Sequence, residues 1–183
     1  MLPEDNIAED GHVFGLEVIN KHQLIGNVYV FLDSLAELLE TVNDKAPIID
    51  NRGTERGKLT YSIVPKLYDN EGEETNLMLV ESIEELLNRK LSVQVNIQEA
   101  KEIPEKFSTD VFAQYKWIDE LAEMFRTDTS GLEKNKNPAF SYKQVHELVV
   151  TDYIAKNIAD GTLIISLYGK MPNENMESLT NQF

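Results

Sequence analysis

From Leu91 to Gln98 the chain alternates apolar and polar residues without a break: Leu91, Val93, Val95 and Ile97 against Ser92, Gln94, Asn96 and Gln98. A period of two sorts these sets onto the two faces of an extended strand, which a helical period of 3.6 cannot do. The signature recurs. Leu24, Gly26, Val28, Val30 and Leu32 share one face, with Ile25, Asn27, Tyr29 and Phe31 on the other. Leu59, Tyr61 and Ile63 alternate with Thr60, Ser62 and Val64, and Pro65 is expected to end that strand. Ala113, Tyr115 and Trp117 alternate with Gln114 and Lys116, which predicts both aromatics in the core. Further strands are expected over Phe140 to about Val150, at Leu163, Ile165 and Leu167, and at Phe14, Leu16 and Val18 ahead of the polar break Asn20-Lys21-His22.

Helical spacing is rarer. Leu35, Leu38, Leu39 and Val42 recur at i, i+3, i+4 and i+7 behind a candidate cap, Asp33 or Ser34. Glu81 to Arg89 places Ile83, Leu86 and Leu87 on one side, and Asp152 to Asn157 suits one helical turn. Asp44 to Arg56 reads as turn-rich and polar around Ile48-Ile49, and 128–138 reads as loop. About seven or eight strands, two or three short helices and no βαβ alternation predict an all-β, antiparallel β-sandwich. The expected organisation is a disordered lead at 1–12, a single sandwich over 13–172 and a frayed tail at 173–183. The sandwich is expected to combine segments 13–67 and 90–171 through an acidic linker and short helix at 68–89. Neither segment has strands enough for two sheets of its own.

The 183 residues are 42% hydrophobic, so the chain can bury a core and is not disordered throughout. Seventeen Lys and Arg against 32 Asp and Glu leave a net charge of −15. That charge opposes nonspecific binding to nucleic acid or anionic lipid. With no cysteine there is no disulfide, thiolate nucleophile, zinc finger or iron–sulfur site, which suits a reducing cytosol. No run approaches the roughly 18–20 apolar residues of a membrane helix. Met1 to Asn6 lacks the basic and apolar regions of a secretory signal.

Signatures of catalysis are missing. The nine glycines form neither G-x-G-x-x-G nor G-x-x-x-x-G-K-[ST], and no G-x-S-x-G is present. His12 and His22 with Glu17 make a weak metal reading, without H-x-x-x-H or H-E-x-x-H behind it. His146, between Val145 and Glu147, is expected to be structural. Adjacent carboxylates such as Glu73-Glu74 and Glu84-Glu85 are ordinary in a chain this acidic. The expectation is a non-enzyme with no catalytic residue, metal or cofactor in this chain.

Several motifs in order carry a resemblance. Leu24-Ile-Gly-Asn-Val-Tyr-Val-Phe-Leu-Asp-Ser-Leu35 is followed by Ala46-Pro-Ile-Ile-Asp50 and Gly57-Lys-Leu-Thr-Tyr61. Leu91-Ser-Val-Gln-Val95, Ile103-Pro104, Asp110-Val-Phe-Ala-Gln-Tyr115, Asn137-Pro-Ala-Phe-Ser-Tyr142 and Ile154 to Gly169 come next. Over about residues 13–171 this set resembles the tail region of kinesin-3 family motors, in a compact branch with a short join at 68–90. Residues 91–169 also resemble the early strands of a C2 domain and 24–64 its closing strands, in permuted order. Two partial modules packed together are the other arrangement. Asp110 matches one calcium-binding position of C2 domains, but Tyr168-Gly169-Lys170-Met171-Pro172 lacks the D-x-D pair required, so no calcium site is expected.

The resemblance implies a noncatalytic tail domain that binds cargo or an adaptor and folds back to inhibit the motor head. The ATPase would lie elsewhere in the full-length protein. Implied partners are the motor head, neighbouring coiled-coil segments and a cargo or scaffold protein, with a guanylate-kinase-like scaffold as one class. No nucleic acid partner and no direct membrane binding are expected; a calcium-independent, membrane-binding C2-type domain is the alternative. The implied location is cytoplasmic, on the microtubule cytoskeleton, with axonal and ciliary settings both open. The acidic stretches supply the candidate partner-binding residues Asp69, Glu71, Glu73, Glu74, Glu81, Glu84 and Glu85.

Overall fold

Eight antiparallel strands join in one sheet in the computed structural model, which describes residues 21–69, 71–75, 80–119, 121 and 123–172. In chain order the elements are β1 (Gln23–Phe31), α1 (Asp33–Ala36), β2 (Thr41–Ile49), β3 (Glu55–Tyr68), a 3-10 turn (Ile83–Leu86) and β4 (Lys90–Lys101). A second 3-10 turn (Glu105–Phe107), β5 (Thr109–Lys116), β6 (Met124–Arg126), β7 (Ala139–Val149), α2 (Asp152–Asp160) and β8 (Thr162–Lys170) follow. The spatial order is β6-β5-β8-β1-β2-β3-β4-β7. β1 pairs with β8 along nearly its whole length but meets β2 in register only at Asn27↔Ile49. The sheet therefore curls at this seam into two four-stranded halves that enclose one core. Val28, Leu163, Ile165 and Leu167 from one half share that core with Leu59, Ile63, Val93, Val95 and Ile97 from the other.

Gly26 makes the seam possible. A Cβ there would lie 2.7 Å from the Ile49 carbonyl oxygen and 2.9 Å from Ile48 Cγ2, closer than real side chains approach. The seam also explains the first segment's position. β1, β2 and β3 occupy the middle of the sheet, with β8 of the second segment on one side and β4 on the other.

The alternating faces read from β4 and β8 hold: Leu91, Val93, Val95, Ile97, Leu163, Ile165 and Leu167 are all buried. In β1 a bulge between Leu24 and Gly26 shifts the register against β8. It turns Ile25 into the core and leaves Leu24 outside, reversing the sequence expectation for those two residues. The helix expected over 35–42 stops after one turn. Leu38 adopts φ 55°, in the left-handed region, and Thr41–Ile49 is the strand β2 rather than a polar turn region. β2 looked like a loop because most of it is exposed and it carries Pro47. That proline fits, because β2 has almost no partner on its β1 flank.

Pro65 does not end β3, which runs on to Tyr68 with Pro65 opposite Val93. β2 pairs with β3 only as far as Ile63, so at Pro65 one flank needs no hydrogen bond. The helix expected at 81–89 is a 3-10 turn, and β6 was not foreseen. α2 is longer than the single turn expected, with the Thr151 hydroxyl accepting a 3.2 Å hydrogen bond from the Ile154 N–H as its cap. The strand expected at 14–19, the lead at 1–12, the tail at 173–183, and His12 and Glu17 lie outside the described residues.

Two measurements check this architecture. Thermal unfolding followed by circular dichroism should give one cooperative transition for the 183-residue chain and none for residues 1–75 or 76–183 alone, because each piece would expose the strand flanks that the other pairs. Gly26→Ala should lower stability by about 1–3 kcal/mol in urea titration, through overpacking at the seam. Independent folding of both pieces, or an unshifted midpoint for Gly26→Ala, would contradict the arrangement.

Candidate interaction site

The acidic stretch after β3 is a tight turn rather than a linker. The Asp69 carboxylate accepts hydrogen bonds from the backbone N–H groups of Glu71 and Glu73, each at 2.9 Å, and Gly72 takes φ 86°. Glu74 returns opposite Tyr68 and pairs with Lys66 Nζ at 3.2 Å, which raises the Lys66 pKa. Asp69 and Glu74 thus shape the turn and leave the exposed Glu71 and Glu73 at its tip. In the second stretch Glu85 accepts from the Glu81 backbone N–H at 3.2 Å. The Ser82 hydroxyl donates to Glu84, which holds that carboxyl below its usual pKa. Ile83 and Leu86 point into the core and so turn the carboxylates of Glu81, Glu84 and Glu85 outward. Each stretch is an exposed acidic turn anchored by its own backbone.

Asp110, the second residue of β5, has φ 52°, an unusual conformation for a residue other than glycine. One carboxylate oxygen lies 3.1 Å from Lys170 Nζ and 2.9 Å from His22 Nε2. Burial alone would push its pKa up. Hydrogen bonds from Thr129 and Lys170, with the charge of Lys170, outweigh that and hold it below the ordinary carboxylate value. An ammonium group therefore neutralises the carboxylate that the C2 comparison singled out for calcium. Among the described residues no three His, Cys, Asp or Glu side chains converge on a point that would hold a metal.

Where the two halves meet away from the seam, five rings gather. Trp117, the residue just after β5, stacks on His146 of β7, with centroids 4.1 Å apart and planes 8° from parallel. Phe125 on β6 meets the same imidazole edge-on at 4.5 Å, and Tyr115 shares a 2.7 Å hydrogen bond with His146 Nε2. Tyr142 completes the group edge-on to Tyr115. Trp117, Tyr115 and His146 are buried, so the aromatics are core residues and the histidine is structural, as their alternation predicts. Burial lowers the His146 pKa to about 4, although Asp119 pulls the other way. Burial and Tyr142 raise that of Tyr115. The sequence offered no sign that these rings converge, because β7 meets β5 and β6 across the core from the opposite end of the sheet order.

No protein-family model matches the chain. It is similar to the human kinesin-like protein KIF13B, 27% identical over 164 residues that cover 84% of this chain and 9% of that protein. It is similar to mouse KIF13A, at 26% identity over 194 residues, 91% of this chain and 11% of that protein. With human KIF13A the figures are 28% over 175 residues, 84% and 10%. The chain thus spans about a tenth of the length of the curated relatives it matches. These relatives are kinesin-3 proteins, and the matching stretch is outside their motor region. The ordered motifs and the alignments agree on a kinesin-3 tail region as what this chain resembles.

The aromatic cluster predicts a pH signature. An unfolded histidine takes up a proton near pH 6.5, whereas folded His146 resists until about pH 4. The stabilisation is complete above pH 6.5 and is lost as the pH falls toward 4, for a total of roughly 3 kcal/mol. Urea titrations at several pH values should follow that loss, and His146→Gln should remove most of it. Trp117→Ala should cost about 3–5 kcal/mol by leaving a cavity against the imidazole. Identical pH slopes for the parent chain and His146→Gln would refute the assignment.

Proposed function

We propose that this chain is a noncatalytic tail segment of a kinesin-3 microtubule motor, which binds cargo or an adaptor protein and holds the motor head in an inhibited arrangement. The observation that carries this reading is the similarity of most of the chain to a non-motor stretch of kinesin-like proteins. The chain's own chemistry agrees with it: no phosphate-binding glycine motif is present. The motor ATPase belongs to another part of such a protein. The setting that follows is the microtubule cytoskeleton of the cytoplasm. No described helix is long and apolar enough to cross a membrane.

A motor head that holds an acidic microtubule carries basic surface. A domain of net charge −15 meets that surface with complementary charge. Among the seven acidic candidates, Glu71, Glu73 and Glu81 are the best placed. They are exposed, and none forms an ion pair with a described residue. Asp69, Glu74, Glu84 and Glu85 already serve the turns that present them. Such complementarity sets encounter rate and orientation and weakens as salt screens it. Cargo capture through a scaffold of the guanylate-kinase-like class is the other half of the role.

Deleting this segment from the full-length motor should raise microtubule-stimulated ATPase activity and landing rate. The isolated chain added in trans should lower landing, less so at high salt. Glu71→Lys with Glu73→Lys should weaken that inhibition severalfold. If deletion leaves landing and ATPase unchanged while abolishing cargo capture, the inhibitory role falls and an adaptor remains.

A further inference from the structure

The outer face of the β6-β5-β8-β1 half carries a row of apolar side chains where a two-layer β fold ordinarily exposes polar ones. The pairing register sets Lys116 opposite Met124, and Ile164 opposite Tyr29, in one row across the four strands, with Phe31 beside them. Met124 is 51% exposed, Ile164 44%, Tyr29 47% and Phe31 71%. Singly such residues would mean nothing; here Ile164, Tyr29 and Phe31 adjoin one another, with Met124 on the far side of Lys116. A shallow groove of about 350 Å³ adjoins this row, lined by Met124 and Ile164 and by the polar Gln114, Lys116, Thr162 and Ser166.

Charge sets this face apart even more. The chain has 32 Asp and Glu, yet β1, β5, β6 and β8 contain one, Asp110, and Lys170 and His22 hold it. Lys116 sits in the row between Met124 and Ile164, and Arg126 lies two residues along β6 from Met124. Neither is ion-paired with a described residue, and the Arg126 guanidinium lies 3.6 Å from the Phe112 ring centroid. In a strongly acidic molecule, these four strands carry no carboxylate other than the paired Asp110, and their outer face mixes apolar, neutral polar and cationic side chains.

We propose that this face docks an acidic peptide segment of a partner protein. Aromatic or branched aliphatic anchors of the segment pack on Tyr29, Phe31, Met124 and Ile164, and its carboxylates meet Lys116 and Arg126. The proposal rests on the protein-interaction reading above and gives it a surface and a partner chemistry. A broad anionic membrane presents its charge to the whole molecule, whose net −15 opposes the approach. A short segment interacts within a Debye length of about 10 Å and so samples mainly the local face.

The test is a titration of the isotope-labelled 183-residue chain, followed by amide NMR. The probe is a synthetic peptide that alternates Glu with Phe and Leu. Saturable binding with shifts confined to β1, β5, β6 and β8 is expected. Lys116→Glu with Arg126→Glu should weaken it by about tenfold or more, and Phe31→Ser, at a largely exposed position, severalfold. Raising salt from about 0.05 to about 0.5 M should weaken it further. The proposal is overturned by no saturation, by equal binding of a peptide with Lys in place of Glu, by shifts on the other half of the sheet, or by phosphatidylserine vesicles that engage this face in place of the peptide. Because the titration uses the isolated chain, its failure removes the surface alone. Failure of the motor assays with peptide binding intact removes the motor context alone.

Discussion

The close approach of β1 to β2 at Gly26 governs the rest of the architecture. A strand that pairs along its length on one flank and at one position on the other is where a sheet can bend without losing continuity. At that position two backbones come nearer than a side chain allows, and glycine supplies the space. Once the sheet bends there, the inward residues of both halves face one another and bury a single core. The stability of β4 and β7 is then tied to that of β5 and β8, although the two pairs lie at opposite ends of the sheet order.

Away from the seam the halves are held by rings rather than by backbone. Trp117, Tyr115 and Phe125 converge on His146, and the imidazole joins in as a neutral, stacked and hydrogen-bonded group. A neutral imidazole tolerates this burial where an imidazolium would be penalised, which is the cause of its lowered pKa. Asp110 shows the opposite solution to burying an ionisable group. Its charge is kept, with Lys170 and His22 as partners.

The acidity of the chain is unevenly distributed. Carboxylates crowd the turns at Asp69–Glu74 and Glu81–Glu85, where backbone hydrogen bonds hold them outward. Four neighbouring strands carry a single carboxylate and expose aromatic and aliphatic side chains. The chain therefore has two chemically different surfaces, acidic turns on one side and a sheet face with apolar and cationic side chains on the other.

The sequence by itself determined the all-β class, the inward faces of β4, β5 and β8, the structural standing of His146 and the likeness to kinesin-3 tails. Each rests on local alternation or on ordered short motifs, and adjacent residues carry that information. Leu91 to Ile97 needed nothing beyond their own period of two. Tertiary structure decided what depends on residues distant in the chain. β2 became a strand despite its polar surface and Pro47 because β3 offered an edge, and β3 continued through Pro65 because β2 had already left its flank. The bulge at Leu24–Gly26 exchanged the inward roles of Leu24 and Ile25 to suit β8. The ring cluster at His146 and the outer face of β1, β5, β6 and β8 exist only once these separate strands are brought together by the fold. That adjacency is set by register and by the close contact at Gly26, which no local pattern encodes.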